Sequence, residues 1–138
     1  DDAEFNIASY VDCFLSENLV RKYIEVKRLT LKEPSVNEAK KWREREVIKK
    51  SKANISFDIR QSDDDISYLG MDELAVCVEG KRDSGGMQSL CSDATSYAPV
   101  RNVIGHTGLL TDIGKLHLHI TYENIKARVK TLVSGDDG

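Results

Sequence analysis

Leu118, Tyr122, Ile125, Val129 and Leu132 step by four, three, four and three residues along the last third of the chain. That is the spacing of one face of an α-helix, and no strand alternation reproduces it. A stripe of this length must be covered by other elements, so the segment is committed to packing against helices. Thr111 supplies a capping hydroxyl and Asp112 an acid for its first turn. Residues 134–138, Ser-Gly-Asp-Asp-Gly, are expected to stop and fray it.

The remainder extends the helical pattern. Ile7, Val11, Phe14, Leu15, Leu19, Tyr23, Ile24 and Leu29 predict a long first helix with these residues on its apolar side, leaving Glu17, Arg21, Glu25 and Arg28 for the wet side. Pro34 should end it, and Ser35 or Asn37 should cap a second helix from Val36 to Ala53 anchored by Trp42, Val47 and Ile48. From Asn54 to Arg60 the alternation of Ile55, Phe57 and Ile59 reads as a short strand or an extended connector. Residues 62–65 form a loop or helix start, and Met71 to Val78 a short helix. Gly80 to Gly86 is a flexible break, with 84–86 as its centre. Met87 to Thr95 reads as a short helical turn, after which Pro99 should take the first position of a new helix capped by Ser96. The expected fold is all-α, a compact bundle of four to five helices in one domain spanning 1–138.

Composition agrees with such a domain. Apolar residues make up 40% and charged residues 31% of 138 positions, too apolar for disorder and long enough to bury a core. The net charge of −3 carries no global basic field, so any nucleic-acid contact must be local. Cys13, Cys77 and Cys91 are odd in number and widely spaced, which indicates neither a disulfide framework nor a zinc knuckle and favours a reducing cytoplasm. No apolar run reaches the length of a membrane span. The chain starts at Asp1 rather than methionine, and on that ground is expected to be a piece excised from a larger polypeptide.

Arg101-Asn102-Val103-Ile104-Gly105-His106 joins a permanent cation, an amide and an imidazole. Arginine can hold two phosphate oxygens with its planar fork, and an imidazole with a reference pKa of about 6.5 can take or give a proton. With Pro99 at a helix start, Arg101 would lie in the first turn beside free N–H groups that attract anions. Five residues of ideal helix rotate the side chain by about 500°, which leaves Arg101 and His106 about 140° apart. Gly105 and Gly108 should weaken the helix there and let His106 turn back, or a symmetric dimer should juxtapose two copies.

The motif resembles the Arg-(four to six residues)-His signature of the HEPN superfamily, in which a polar residue often follows the arginine, as Asn102 does. His106 to Thr111, followed by the long last helix, also resembles bacterial members. The resemblance implies an all-α domain that forms a homodimer and cuts RNA without a metal or other cofactor, in antiviral defence or toxin systems, with an antitoxin or regulatory domain as a further partner. Arg101, His106 and Asn102 are then the catalytic residues. RNA carries its own nucleophile, the 2′-hydroxyl, so cleavage needs proton transfer by His106, charge stabilisation by Arg101 and orientation by Asn102, and leaves a 2′,3′-cyclic phosphate and a 5′-hydroxyl. The alternative is a catalytically silent module of the same fold.

Lys40, Lys41, Arg43, Lys49 and Lys50, with Trp42 available to stack on a base, are the candidate RNA-binding residues in the one basic concentration of the chain. A solvated helix face with Glu–Arg pairs accounts for the same pattern. His117 and His119 are two apart, which on a helix turns them to different sides and does not make a metal site. Asp63, Asp64 and Asp65 lack the glycine and distal glutamate of a calcium loop.

Overall fold

In the computed structural model, which describes residues 2–80 and 89–136, every regular element is helical. The elements are α1 (Asp2–Lys27), α2 (Glu33–Lys52), a 3-10 turn (Asp65–Tyr68), α3 (Met71–Glu79), α4 (Leu90–Gly105) and α5 (Asp112–Asp136). Buried side chains from α1, α3, α4 and α5 form one core. Residues 54–60 are a connector and not a strand.

The stripe on α5 behaves as its spacing requires. Leu118, Ile125 and Val129 are buried and Tyr122 and Leu132 half-buried, against α1 and α4. Thr111 Oγ1 accepts from Gly114 N at 3.0 Å, the expected cap. The helix nevertheless runs on through Ser134 and Gly135 to Asp136, so the tail does not stop it where the glycine and aspartates suggested. A buried ion pair between Asp93 of α4 and Arg128 ties the two helices together. Burial raises the Asp93 pKa above the usual carboxylate value, and Arg128 opposes that shift.

The inward side of α1 is not the one its apolar spacing picks out. Ser9, Cys13, Ser16 and Glu17 are buried together with Val20 and Ile24, while Ile7, Val11, Phe14 and Leu15 are exposed. Small side chains at 9, 13 and 16 let neighbouring helices approach closely. Asn6 at the start of α1 clamps the loop before α5, donating to Gly108 O at 2.6 Å and accepting from Leu110 N at 3.4 Å.

α2 begins earlier than expected because Pro34 lies in its first turn and does not terminate what precedes it. Ser35 is therefore inside the helix, where its hydroxyl donates to Glu73 of α3 at 2.6 Å instead of capping. The largest departure is α4. Ser89 and Ser92 form a reciprocal capping box ahead of it. Glu79, the last residue of α3, accepts from the N–H groups of Leu90 and Cys91 at 2.8 and 2.9 Å. With its N-terminus satisfied twice over, the helix starts at Leu90 and passes through Pro99, which is interior. Gly80 closes α3 in the left-handed conformation with φ of 81°, and the rest of the glycine-rich break, with Met87, lies outside the described residues.

Three helices end in the same way. After α1, α2 and α4 a residue with positive φ (Arg28, Asn54, Thr107) is followed by one whose N–H reaches five residues back. That is the Schellman closure, for which glycine or asparagine is the usual left-handed residue. Asn54 fits, and Thr107, branched at Cβ with φ of 59°, is strained. Thr107→Gly is therefore expected to raise stability by about 0.5–1 kcal/mol, measured by urea unfolding. An unchanged or lowered midpoint would contradict the strain.

Candidate functional site

Glu17 lies in the middle of α1, on its buried side, where a carboxylate must be met by donors. Three side chains meet it. The Tyr97 hydroxyl of α4 donates to Oε2, Arg101 Nε of the same helix donates to Oε2 at 3.2 Å, and Arg21 Nη2, one turn along α1, donates to Oε1 at 3.3 Å. Arg21 extends the network to the carbonyls of Ile66 and Leu69 at 3.1 and 2.9 Å. One carboxylate thus joins α1, α4 and the 3-10 turn with the residue after it.

The network sets the protonation states. Burial, then the adjacent Glu17 carboxylate, pushes the Tyr97 phenol far above its ordinary value. Burial opposes the charge on Arg101, and Glu17 outweighs it, leaving the guanidinium pKa above its usual level. Burial also raises the Cys13 thiol above its ordinary value.

Above this network opens a cleft of about 1000 Å³. Tyr10, Phe14 and Trp42 give it aromatic walls, and Arg21, Arg60 and Arg101 give it positive charge against the carboxylates of Glu17, Glu38, Asp72 and Glu73. Arg101 presents its Nη edge there, since Nε is taken by Glu17 and the Nη groups make no hydrogen bond with the described residues. Gly105 leaves room for this placement, since a Cβ at 105 would stand 2.6 Å from Arg101 Nη1 and the guanidinium would have to shift. Asn102 also lines the cleft.

His106 does not. It is the exposed cap residue that follows α4, its backbone outside the helical region at φ −99° and ψ 16°, and it is not among the cleft's lining residues. The helix runs unbroken from Arg101 and ends at Gly105, yet that end does not bring His106 to the cleft. Arg101 is also twelve residues into α4 and not in its first turn. The N–H groups that would have formed an anion pocket are at Leu90, occupied by Glu79.

The basic residues of α2 divide. Arg43 turns to Asp65 at 2.6 Å and Asp63 at 3.4 Å, so it braces the acidic loop. The Tyr68 hydroxyl donates to Asp63 at 2.6 Å, the main reason that carboxyl sits below its usual pKa. Lys41 pairs with Glu38 at 3.8 Å, and Lys40 is exposed. Trp42, Lys49 and Lys50 line a second, smaller cavity that shares Trp42, Arg60 and Tyr68 with the cleft. His117 reaches Ser96 O of α4 at 2.8 Å and His119 reaches Asp12 of α1 at 3.1 Å, on different neighbours.

Comparison with family models, curated proteins and solved structures found no match. What the site can do follows from its own geometry: it offers a held guanidinium, an amide and flat apolar walls to a ligand with an anionic group. Glu17 and Tyr97, which organise it, escape periodicity. The available signal is Glu17 sharing a helical face with the small residues Cys13 and Ser16, since a charge on such a face is internal.

Because the folded chain holds the Tyr97 proton above the reference phenol value of about 10, the unfolded chain releases it first. Stability from this group is complete below about pH 10 and declines as pH rises beyond it. Tyr97→Phe should cost about 1–2 kcal/mol at neutral pH and show a shallower alkaline decline in chemical unfolding. An equally steep decline in the variant would sink this assignment.

Proposed function

We propose that the chain is the subunit of a homodimeric endoribonuclease of the HEPN kind, cleaving RNA by metal-independent 2′-hydroxyl transesterification in a defence or toxin setting. The observation that carries this is Arg101, held at Nε by Glu17 with its Nη edge open to the cleft beside Asn102. Two parallel N–H groups match two non-bridging phosphate oxygens. Because His106 is outside the cleft of its own chain, the proton-transfer group is assigned to the partner subunit's His106. The 2′-oxygen bonds to phosphorus as its proton passes to that imidazole, and the bond to the 5′-oxygen breaks as that oxygen takes a proton from solvent water. RNA flanking the scissile phosphate reaches α2 through Trp42, with Lys40 and Lys41 supplying charge. Ile7 and Val11 of α1 and Ile113, Leu116 and Ile120 of the neighbouring α5 are exposed, which supports association of two copies. The cytoplasm is the compartment this reading requires, with an antitoxin or regulatory domain as the controlling partner. Among the described residues no helix is long and apolar enough to cross a membrane.

The second reading is the catalytically silent binding module. It is favoured by the separation of Arg101 from His106 within one chain and by the ion pair that engages Arg101. One experiment distinguishes the two. Purified protein is incubated with transfer RNA in EDTA beside Arg101→Ala, His106→Ala and an equimolar mixture of the two variants. The enzyme reading expects cleavage leaving cyclic phosphates, at least about a hundredfold loss in each variant, and recovery to about a quarter of the original rate in the mixture, where half the dimers hold one intact shared site. Intact RNA throughout establishes the silent module, and cleavage that survives both substitutions removes the catalytic pair.

A further inference from the structure

α2 stands apart from the rest of the bundle. Its buried residues, Ser35 and Ala39, are both in its first half, and its main packing partner is the 3-10 turn. The second half is braced from the side, by Arg43 on Asp65 and by Arg60 on Glu46 at 2.5 Å. It leaves Val47 61% and Ile48 54% exposed, and in the following connector Phe57 and Ile59 are exposed as well. Apolar surface of that extent on a charged helix is the mark of an interaction face.

Between this half of α2 and the connector runs a groove of about 480 Å³. Ala53, Ile55 and Ile59 give it an aliphatic floor, and Arg45, Lys49 and Lys50 a cationic rim in a chain of net charge −3. Its two aromatic walls are already covered by guanidinium groups, Trp42 by Arg45 at 4.9 Å and Tyr68 by Arg60 at 4.1 Å to the ring centroids. Within the groove those guanidinium groups compete with a nucleobase for the ring faces, and an aliphatic floor gives a ribose nothing to bond. A segment that pairs a bulky apolar side chain with carboxylates satisfies both floor and rim.

We propose that this groove docks an acidic amphipathic segment of a partner protein, with an aliphatic side chain seated on Ile55 and Ile59 and its carboxylates on Arg45, Lys49 and Lys50. The groove adjoins the Arg101 cleft, sharing Trp42, Arg60 and Tyr68 with it, and the proposal stands whether or not the chain cleaves RNA.

Trp42 is the only tryptophan in the chain and lines both groove and cleft, so its emission reports binding at either, and the variants at Lys49, Lys50 and Ile59, which line the groove and not the cleft, locate it. The probe is a blocked synthetic peptide carrying glutamates on one helical face and leucines on the other. It should produce a saturable blue shift as water leaves Trp42. Binding should weaken at least about tenfold in the double variant Lys49→Glu, Lys50→Glu, whose exposed or half-buried positions spare the fold as checked by circular dichroism. Ile59→Ser should weaken it about as much without any change in charge. Failure of the glutamate peptide to shift the emission overturns the proposal, as does equal binding of the lysine counterpart. Displacement of the peptide by oligouridylate at equal concentration would instead assign the groove to nucleic acid.

Discussion

A carboxylate withdrawn from water costs several kcal/mol unless donors replace its hydration, and Glu17 receives three, from Tyr97, Arg101 and Arg21. Those donors come from two helices, and through Arg21 the network reaches the backbone around the 3-10 turn. Removing the carboxylate would leave two guanidinium groups and a buried phenol without their common partner, most costly for the buried phenol because Arg101 is half exposed and Arg21 keeps the carbonyls of Ile66 and Leu69. The same contact determines what the cleft can bind, because it consumes one edge of Arg101 and aims the other outward.

The buried charge also bears on the composition of α1. On the inner face of this helix the residues around the ion network, Cys13 and Ser16, are small, with Ser9 further toward the N-terminus and Val20 and Ile24 supplying apolar packing beyond it. Ile7, Val11, Phe14 and Leu15 lie outward, some on the surface shared with α5 and Phe14 in the wall of the cleft. Stability and surface chemistry therefore follow from one placement. Similarly, Glu79 satisfies the first N–H groups of α4, which removes an anion site from that helix start and leaves Arg101 as the cation that faces the cleft from α4.

How much of this was legible in the sequence depends on the kind of force involved. The helical class and the stripe of α5 were, because burial of Leu118, Ile125 and Val129 leaves a period of 3.6 in the residue pattern. The start of α4 was not: Pro99 carries a strong local preference, yet the Ser89 capping box and the Glu79 carboxylate together outweigh it. The inner face of α1 was misassigned for a related reason, since periodicity records apolar residues and is blind to a glutamate whose donors lie 80 and 84 positions away. Arg101 and Asn102 stand out in the sequence by their chemistry, and both line the cleft, whereas the helix end that Gly105 signals occurs without bringing His106 there, because the direction of the chain beyond α4 is set by tertiary contacts.

Glu17 holds the Arg101 guanidinium at Nε, and nitrogen-edited NMR of arginine Nε–H groups observes that contact directly at neutral pH. The unmodified chain is expected to show a slowly exchanging, downfield Nε–H signal that Arg101→Lys abolishes and Glu17→Gln moves toward the solvent-exchanging set. A rapidly exchanging Arg101 signal, unchanged by Glu17→Gln, would contradict it.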